Sequence, residues 1–320
     1  MTSTTTRILA AGVLALGILS PAWTHAADYP THAIELVVPY PGGGGTDVLA
    51  RAFAEASRKH IAQTLIVINK PGASGAIGWA DVLNAKTDGY KVALLATDLM
   101  TQPNMGLTKI TYEDFIPIAR LNYDPAALTV RADAPWNTVE EFLQAAKKSG
   151  EFRIGNGGNG STWHLAAAAI EDKSGVKFNH IPYGGAAPAA LALLGGHIEA
   201  ITVSAAEVST YVASGKLKTL AVMSDQRIKG FENVPTLKER NMDISIGTWR
   251  GLAVAKGTPP EVVATLKAAT EKIAKEQVLH DALNRQNMGY AYADGDAFGA
   301  VMAKDHAYYK SLIGKLGIKP

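Results

Sequence analysis

Cysteine is absent from the 320 residues, which excludes disulfides, a thiolate nucleophile and any cysteine metal site, and leaves packing alone to hold the fold. An excess of charge is missing too. Lys and Arg number 31 against 29 Asp and Glu, a net charge of +2, or +1 once the N-terminal segment with its single Arg7 and no acid is set aside. These charges are scattered, without the basic stripe or clustered aromatics of a polyanion-binding surface, so nucleic acid is excluded as a partner and any anion selectivity has to come from local geometry. Long apolar runs are confined to one place. Ile8 to Leu19 follows Arg7 and precedes Thr24-His25-Ala26, a pattern that resembles a secretory signal peptide over residues 1–26 and is shorter than the ~20 residues of a spanning helix. From about Ala27 the chain reads as exported and long enough for two domains.

Glycine is concentrated in two turns, Tyr40-Pro-Gly-Gly-Gly-Gly-Thr-Asp47 and Gly155-Asn-Gly-Gly-Asn-Gly-Ser-Thr162. Each follows a strand-like run and opens a helix-like run. Such a junction lets the backbone approach a ligand and turns the first N–H groups of the helix outward, where the macrodipole favours an anion. The surrounding pattern repeats as well: strand Ile34 to Pro39, helix Val48 to Lys59, strand Leu65 to Ile68, helix Ala76 to Ala85 and strand Lys91 to Ala96 in the first half. Strand Phe152 to Ile154, helix Trp163 to Asp172, strand Val176 to Ile181, helix Pro188 to Leu194 and strand Ile198 to Val203 form the second. This alternation predicts two α/β lobes, each a mostly parallel sheet flanked by helices. Residues 27–125 plus 251–320 make one lobe and 126–250 the other, with hinge crossings near 126–130 and 248–254. The C-terminal helical pattern from Val262 packs back onto the first lobe. Ligands of open α/β sheets sit beyond the carboxyl ends of strands, where both glycine turns lie.

Several chemistries can be weighed against these residues. Gly155, Gly157 and Gly160 fit the dinucleotide pattern G-x-G-x-x-G, so an NAD-dependent enzyme is an alternative, but the next strand ends in Asn179-His-Ile-Pro-Tyr183 without the acid that grips a ribose. The first turn lacks the lysine of a phosphate loop. No G-x-S-x-G occurs, and Ser161 with His164 lacks an orienting acid, which leaves His164 a packing or hydrogen-bonding residue. His164, His180 and His197 have no zinc spacing, so no metal and no cofactor are expected. Three side chains keep two readings each. Asp47 either compensates the helix dipole or accepts from a ligand hydroxyl or amino group; Asp98 either meets a ligand hydroxyl or water in the cleft or caps the following turn; Arg250 either pairs with a ligand carboxylate or ties the hinge.

Taken together, Leu36-Val-Val-Pro-Tyr-Pro-Gly-Gly-Gly-Gly-Thr-Asp47, Asn69-Lys-Pro-Gly72, Asp88-Gly-Tyr90, Asn159-Gly-Ser161 with His164, Pro182-Tyr183, Leu194-Gly-Gly196, Val234-Pro235-Thr236 and Lys256-Gly-Thr-Pro259 occur in a familiar order. The chain resembles the Bug family of periplasmic receptors of tripartite tricarboxylate transporters. The resemblance implies a two-lobed, type II periplasmic-binding-protein fold that closes on a small organic carboxylate, a di- or tricarboxylate, and delivers it to membrane permease subunits as a monomer without catalysis. A ligand-sensing receptor for a signalling partner is the other reading. By position, Tyr40, Pro41, Gly43, Gly44, Thr46 and Asp47 of the first turn and Asn159, Gly160, Ser161, Thr162 and His164 of the second hold one ligand carboxylate. Tyr183 and Gly184 edge the cleft, and Asp98, Ser204 and Glu207 meet the far end of the ligand. The sequence departs from commoner members at Asp98 and at Ser204-Ala-Ala-Glu207, which leaves the ligand's distal group open.

Overall fold

The structure, a computed structural model, describes residues 29–317. The expected signal segment 1–26 lies outside them. In chain order the elements are β1 Ile34–Val38, α1 Gly45–Ser57, β2 Leu65–Asn69, α2 Ala76–Leu83, β3 Lys91–Ala96, α3 Asp98–Thr101, β4 Phe115–Pro125, β5 Ala127–Arg131, α4 Val139–Ser149, β6 Arg153–Asn156 and α5 Thr162–Ser174. There follow β7 Asn179–Pro182, α6 Ala186–Leu194, β8 Ala200–Ile201, α7 Ala205–Ala213, β9 Leu217–Val222, β10 Gly247–Ala255, α8 Pro260–Ile273, α9 Gln277–Arg285, β11 Tyr290–Asp294 and α10 Gly295–Leu316.

Two sheets result, ordered β11-β4-β10-β3-β1-β2 and β7-β6-β8-β5-β9. Both are mixed rather than mostly parallel. β1 pairs parallel with β2 and β3, and β6 with β7 and β8, but β10 runs antiparallel to β3 and β4, and β5 antiparallel to β8 and β9. The antiparallel strands are those that carry the chain between lobes: β4 and β5 are separated only by Ala126, and β10 returns to the first sheet.

The strands of the first sheet are apolar on both faces because both are covered. Ile34, Leu36 and Val38 of β1 pack with Leu49 and Phe53 of α1 and with Val262, Leu266 and Ile273 of α8, while Val37 joins Trp79 of α2 and Phe298 and Met302 of α10 on the opposite face. A separate core fills the second lobe around Leu128, Phe142, Ile154, Ile170 and Leu193. α8 packs on the first lobe as the sequence pattern suggests. α10 does more: it lies on β4, its Leu312 also packs against the second core, and Lys315 reaches Asp172 at 3.3 Å.

α1 starts three residues earlier than its sequence pattern indicates. Gly44 takes the extended N-cap conformation (φ −81°, ψ 168°) with no side-chain cap, and Asp47 turns away to accept from Gly43 N–H at 3.0 Å.

Candidate functional site: a cleft between the lobes

Four helices aim their N-termini at the space between the sheets, α1 from the first lobe and α5, α6 and α7 from the second, because each follows directly from the carboxyl end of a strand. A cavity of about 30 Å³ lies there, room for one or two water molecules. It is lined by Tyr40, Pro41, Gly44, Gly45, Thr46 and Asp98 of the first lobe, Gly157, Trp163, Gly185, Ala186, Ala187 and Glu207 of the second, and Thr248 and Arg250 of β10.

The four helix ends are not alike. Those of α1 and α6 carry glycine N-caps, Gly44 and Gly185, and no side-chain cap. Their outward N–H groups are left for an anion. The end of α5 is closed twice: Ser161 Oγ accepts from His164 N–H at 3.1 Å, and Asp98 reaches across from the first lobe to accept from Thr162 N–H at 2.7 Å and Thr162 Oγ1–H at 2.8 Å. α7 is closed by a capping box in which Ser204 and Glu207 hold each other's backbone N–H groups.

Three carboxylates and one guanidinium form the buried floor. Arg250, 1% exposed, donates from Nε to Thr46 Oγ1 at 2.8 Å, from Nη1 to Asp124 at 2.5 Å and from Nη2 to Glu207 at 2.9 Å. Asp124 is further held by Asn122 Nδ2 and Gly289 N–H, each at 2.8 Å. Burial pushes Asp98, Asp124 and Glu207 above the usual carboxylate range. Burial also opposes the charge on Arg250, but the fields of Glu207 and Asp124 outweigh it and keep the guanidinium charged. Tyr40, pushed well above the usual tyrosine range by burial and by Asp98, keeps its proton and donates a hydrogen bond to Asp98 Oδ2 at 2.7 Å.

Of the residues singled out from sequence, Tyr40, Pro41, Gly44, Thr46, Asp98 and Glu207 line the cavity together. Asp47 points the other way, into Arg51 and Asn69 at 3.0 Å each; burial raises its pKa, yet the bonds from Arg51, Gly43 N–H and Asn69 leave it lowered. Asn159 and Gly160 hold the lobes to each other. The Asn159 carbonyl accepts from Ser74 Oγ at 3.3 Å, and the Gly160 carbonyl accepts from Thr101 Oγ1. His164 accepts from Gly160 N–H at 3.2 Å, and burial, then His180, lowers its pKa to about 4. Gly43 turns the chain at φ 84° beside the cavity, Thr162 is occupied by Asp98, and the ring of Tyr183 packs over Gly155. Gly184 lies close to Pro41, at the cavity edge.

Sequence reasoning missed Asp124 and Trp163. Asp124 sits in the polar end of a strand, after Arg120 and Asn122, outside any glycine turn, whereas Trp163 is the second residue of a helix that opens on a glycine turn and lines the cavity. Gly45 also plays an unforeseen part. A Cβ there would stand 2.9 Å from Arg250 Nη2 and 3.1 Å from Glu207 Oε1, so glycine at 45 makes room for the ion pair.

Comparison with known proteins agrees with this architecture. The profile of the tripartite tricarboxylate transporter family receptor matches residues 49–318. A UPF0065 protein in the gbd 5' region of Cupriavidus necator is 34% identical, covering 97% of this chain and 95% of that protein. A ligand-free TctC solute binding protein from Polaromonas is 82% identical, covering 90% of this chain and 99% of that one, with a TM-score of 0.68. The periplasmic binding protein BugD is 29% identical over 91% of this chain and 99% of its own, with a TM-score of 0.87. This chain is therefore a member of the receptor family of tripartite tricarboxylate transporters.

Proposed function

We propose that this receptor binds a small organic carboxylate between its lobes and hands it to the membrane permease subunits of a tripartite transporter. The observation that carries the reading is the pair of uncapped helix ends, α1 at Gly44 and α6 at Gly185, which come from opposite lobes and line one cavity. A carboxylate there receives backbone N–H groups from both sides, and because neither lobe supplies both ends, binding favours the closed arrangement. The hinge crossings are at Ala126 and at the start of β10. We set the boundary at the start of β10, since Gly247–Arg250 pair with β3 and β4 of the first sheet, so residues 126–246 form the second lobe rather than 126–250, and α10 bridges the two.

The relatives support this. Rpa4515 of Rhodopseudomonas palustris with adipate and MatC with bound malate share the fold at 24% and 22% identity, which supports an organic acid as the ligand class. Among the described residues no helix is long and apolar enough to cross a membrane, in keeping with a receptor that works in the periplasm. Catalysis has no support in the site: His164 is held neutral against Gly160, and the helix end where a dinucleotide pyrophosphate would rest carries Asp98.

The test is thermal melting of the purified protein against a panel of carboxylates and NAD. A ligand at ~1,000 times its Kd adds about 4 kcal/mol. A clear upward shift with a carboxylate and none with NAD is expected; a shift with NAD alone sinks the receptor reading.

A further inference from the structure

The cleft already contains more carboxylate than cation. Asp98, Asp124 and Glu207 face a single guanidinium, Arg250, which already bonds Thr46, Asp124 and Glu207 and keeps only the second N–H of each Nη. Among the described residues, no other Lys or Arg lines the cavity. Two of the four helix ends that could receive an anion are occupied by the protein's own acids, α5 by Asp98 and α7 by Glu207. One ligand carboxylate finds the free ends of α1 and α6. A second finds no free helix end and only a cation already paired with two acids, and to reach Thr162 it would have to evict Asp98 and leave that acid buried beside it.

The same wall suits a donor. A carboxylate offers about four lone-pair sites. Asp98 spends three, on Tyr40 Oη and on Thr162 N–H and Oγ1, and Glu207 spends three, on Arg250 Nη2, Ser204 N–H and Ser204 Oγ, which leaves about one on each. Both side chains border the cavity, so a ligand hydroxyl or ammonium close to its carboxylate has an acceptor on either. An ammonium also offsets charge that burial leaves uncompensated.

Resting on the carboxylate-receptor reading above, we infer that Asp98 and Glu207 set the specificity of the cleft for a carboxylate that carries a hydrogen-bond donor, an amino or hydroxy acid, and against a second unpaired carboxylate at the inner wall. Specificity here comes from repulsion as much as attraction. The expectation of a di- or tricarboxylate narrows accordingly: extra carboxylates are tolerated only where they point outward, away from Asp98.

The test is isothermal titration of the purified protein with matched sets that differ in one group: propionate, lactate and alanine; succinate, malate and aspartate; glutarate and glutamate. In at least one set the donor-bearing member is expected to bind tenfold or more tightly than its parent acid. Asp98→Asn, checked for an unchanged circular dichroism spectrum, is expected to shrink the ammonium preference by a similar factor. Binding in which no donor-bearing member exceeds its parent acid in any set overturns the specificity and leaves the receptor reading standing. Silence from every acid, parent and substituted alike, overturns both. An unchanged preference in Asp98→Asn removes Asp98 from the account even where the wild-type series behaves as expected.

Discussion

Arg250 illustrates at the scale of one residue how the site is balanced. Its guanidinium lies between two buried acids, and removing one partner of such a cluster costs about 3–5 kcal/mol because the remaining charges are stranded. Arg250→Met is expected to lose stability of that order at pH 8 and less at pH 5. The sign follows from linkage: Asp124 and Glu207 have folded pKa values already raised by burial, and without Arg250 these rise further. The folded variant then binds more protons than its unfolded chain, and its stability falls as pH rises. Urea melts at the two pH values decide it, and an equal loss at both would mean the acids are not the cause. His164 runs the other way. Its pKa, lowered to about 4 by burial and by His180, lets only the unfolded chain take the proton between pH 6.5 and 4, so its contribution is complete above 6.5 and falls by up to about 3 kcal/mol as pH drops to 4. His164→Asn, which can still accept from Gly160, should flatten that part of the stability profile; an unchanged slope would assign it to another group.

At the scale of an element, the start of α1 shows what the sequence displayed and what it hid. The run Tyr40 to Asp47 announces a strand-to-helix turn, and the turn is there, yet its glycines differ in what they do. Gly43 needs its φ of 84°; Gly44 leaves α1 uncapped; Gly45 yields space to the Arg250–Glu207 pair. The role of Gly45 depends on Glu207 and Arg250, 162 and 205 positions away, which no local pattern reports. The parallel half of each sheet was legible for the same reason that its βα turns were. The antiparallel half was not, because β4, β5 and β10 pair at long sequence range. In the site, glycine turns and strand ends pointed to the cleft, while the partner of Arg250 on β4, Asp124, came only with the pairing of β4 and β10. Gly45→Ala is accordingly expected to part Arg250 from Glu207, lower stability by about 1–3 kcal/mol and weaken carboxylate binding at least tenfold. Gly44→Ala, where a Cβ has nothing closer than 3.9 Å and φ is −81°, should change neither by much. Calorimetry and titration of the two variants side by side would reverse this assignment if Gly44→Ala proved the more damaging.

For the whole molecule, the contacts that hold the lobes together lie on both sides of the cavity: Asp98 on Thr162, Ser74 and Gln102 on the Asn159 carbonyl, Thr101 on the Gly160 carbonyl, and Ser209 on the Gln286 carbonyl at 3.2 Å. Each of these is modest and most leave a partner that water can serve when the lobes part; the buried Arg250–Glu207 pair also joins the lobes, but opening hydrates both charges instead of stranding one, so the balance between arrangements is within reach of a ligand's binding energy. Gly160 is the place to disturb it. Its φ is 71°, and a Cβ would stand 2.5 Å from Leu107 and 3.1 Å from Met105 of the opposite lobe. Replacement by valine adds left-handed strain of roughly 1–2 kcal/mol as well as the clash, so a control must carry the strain without the clash. Gly150 supplies it, with φ 69° and nothing within 4 Å, at the end of α4. Gly150→Val and Gly160→Val should lose similar stability, while only Gly160→Val loses tenfold or more in carboxylate affinity and fails to contract in small-angle X-ray scattering when the acid that best stabilises the wild type is added. If both variants bind equally well, closure across the Gly160 turn contributes nothing to affinity, and the binding energy resides in one lobe.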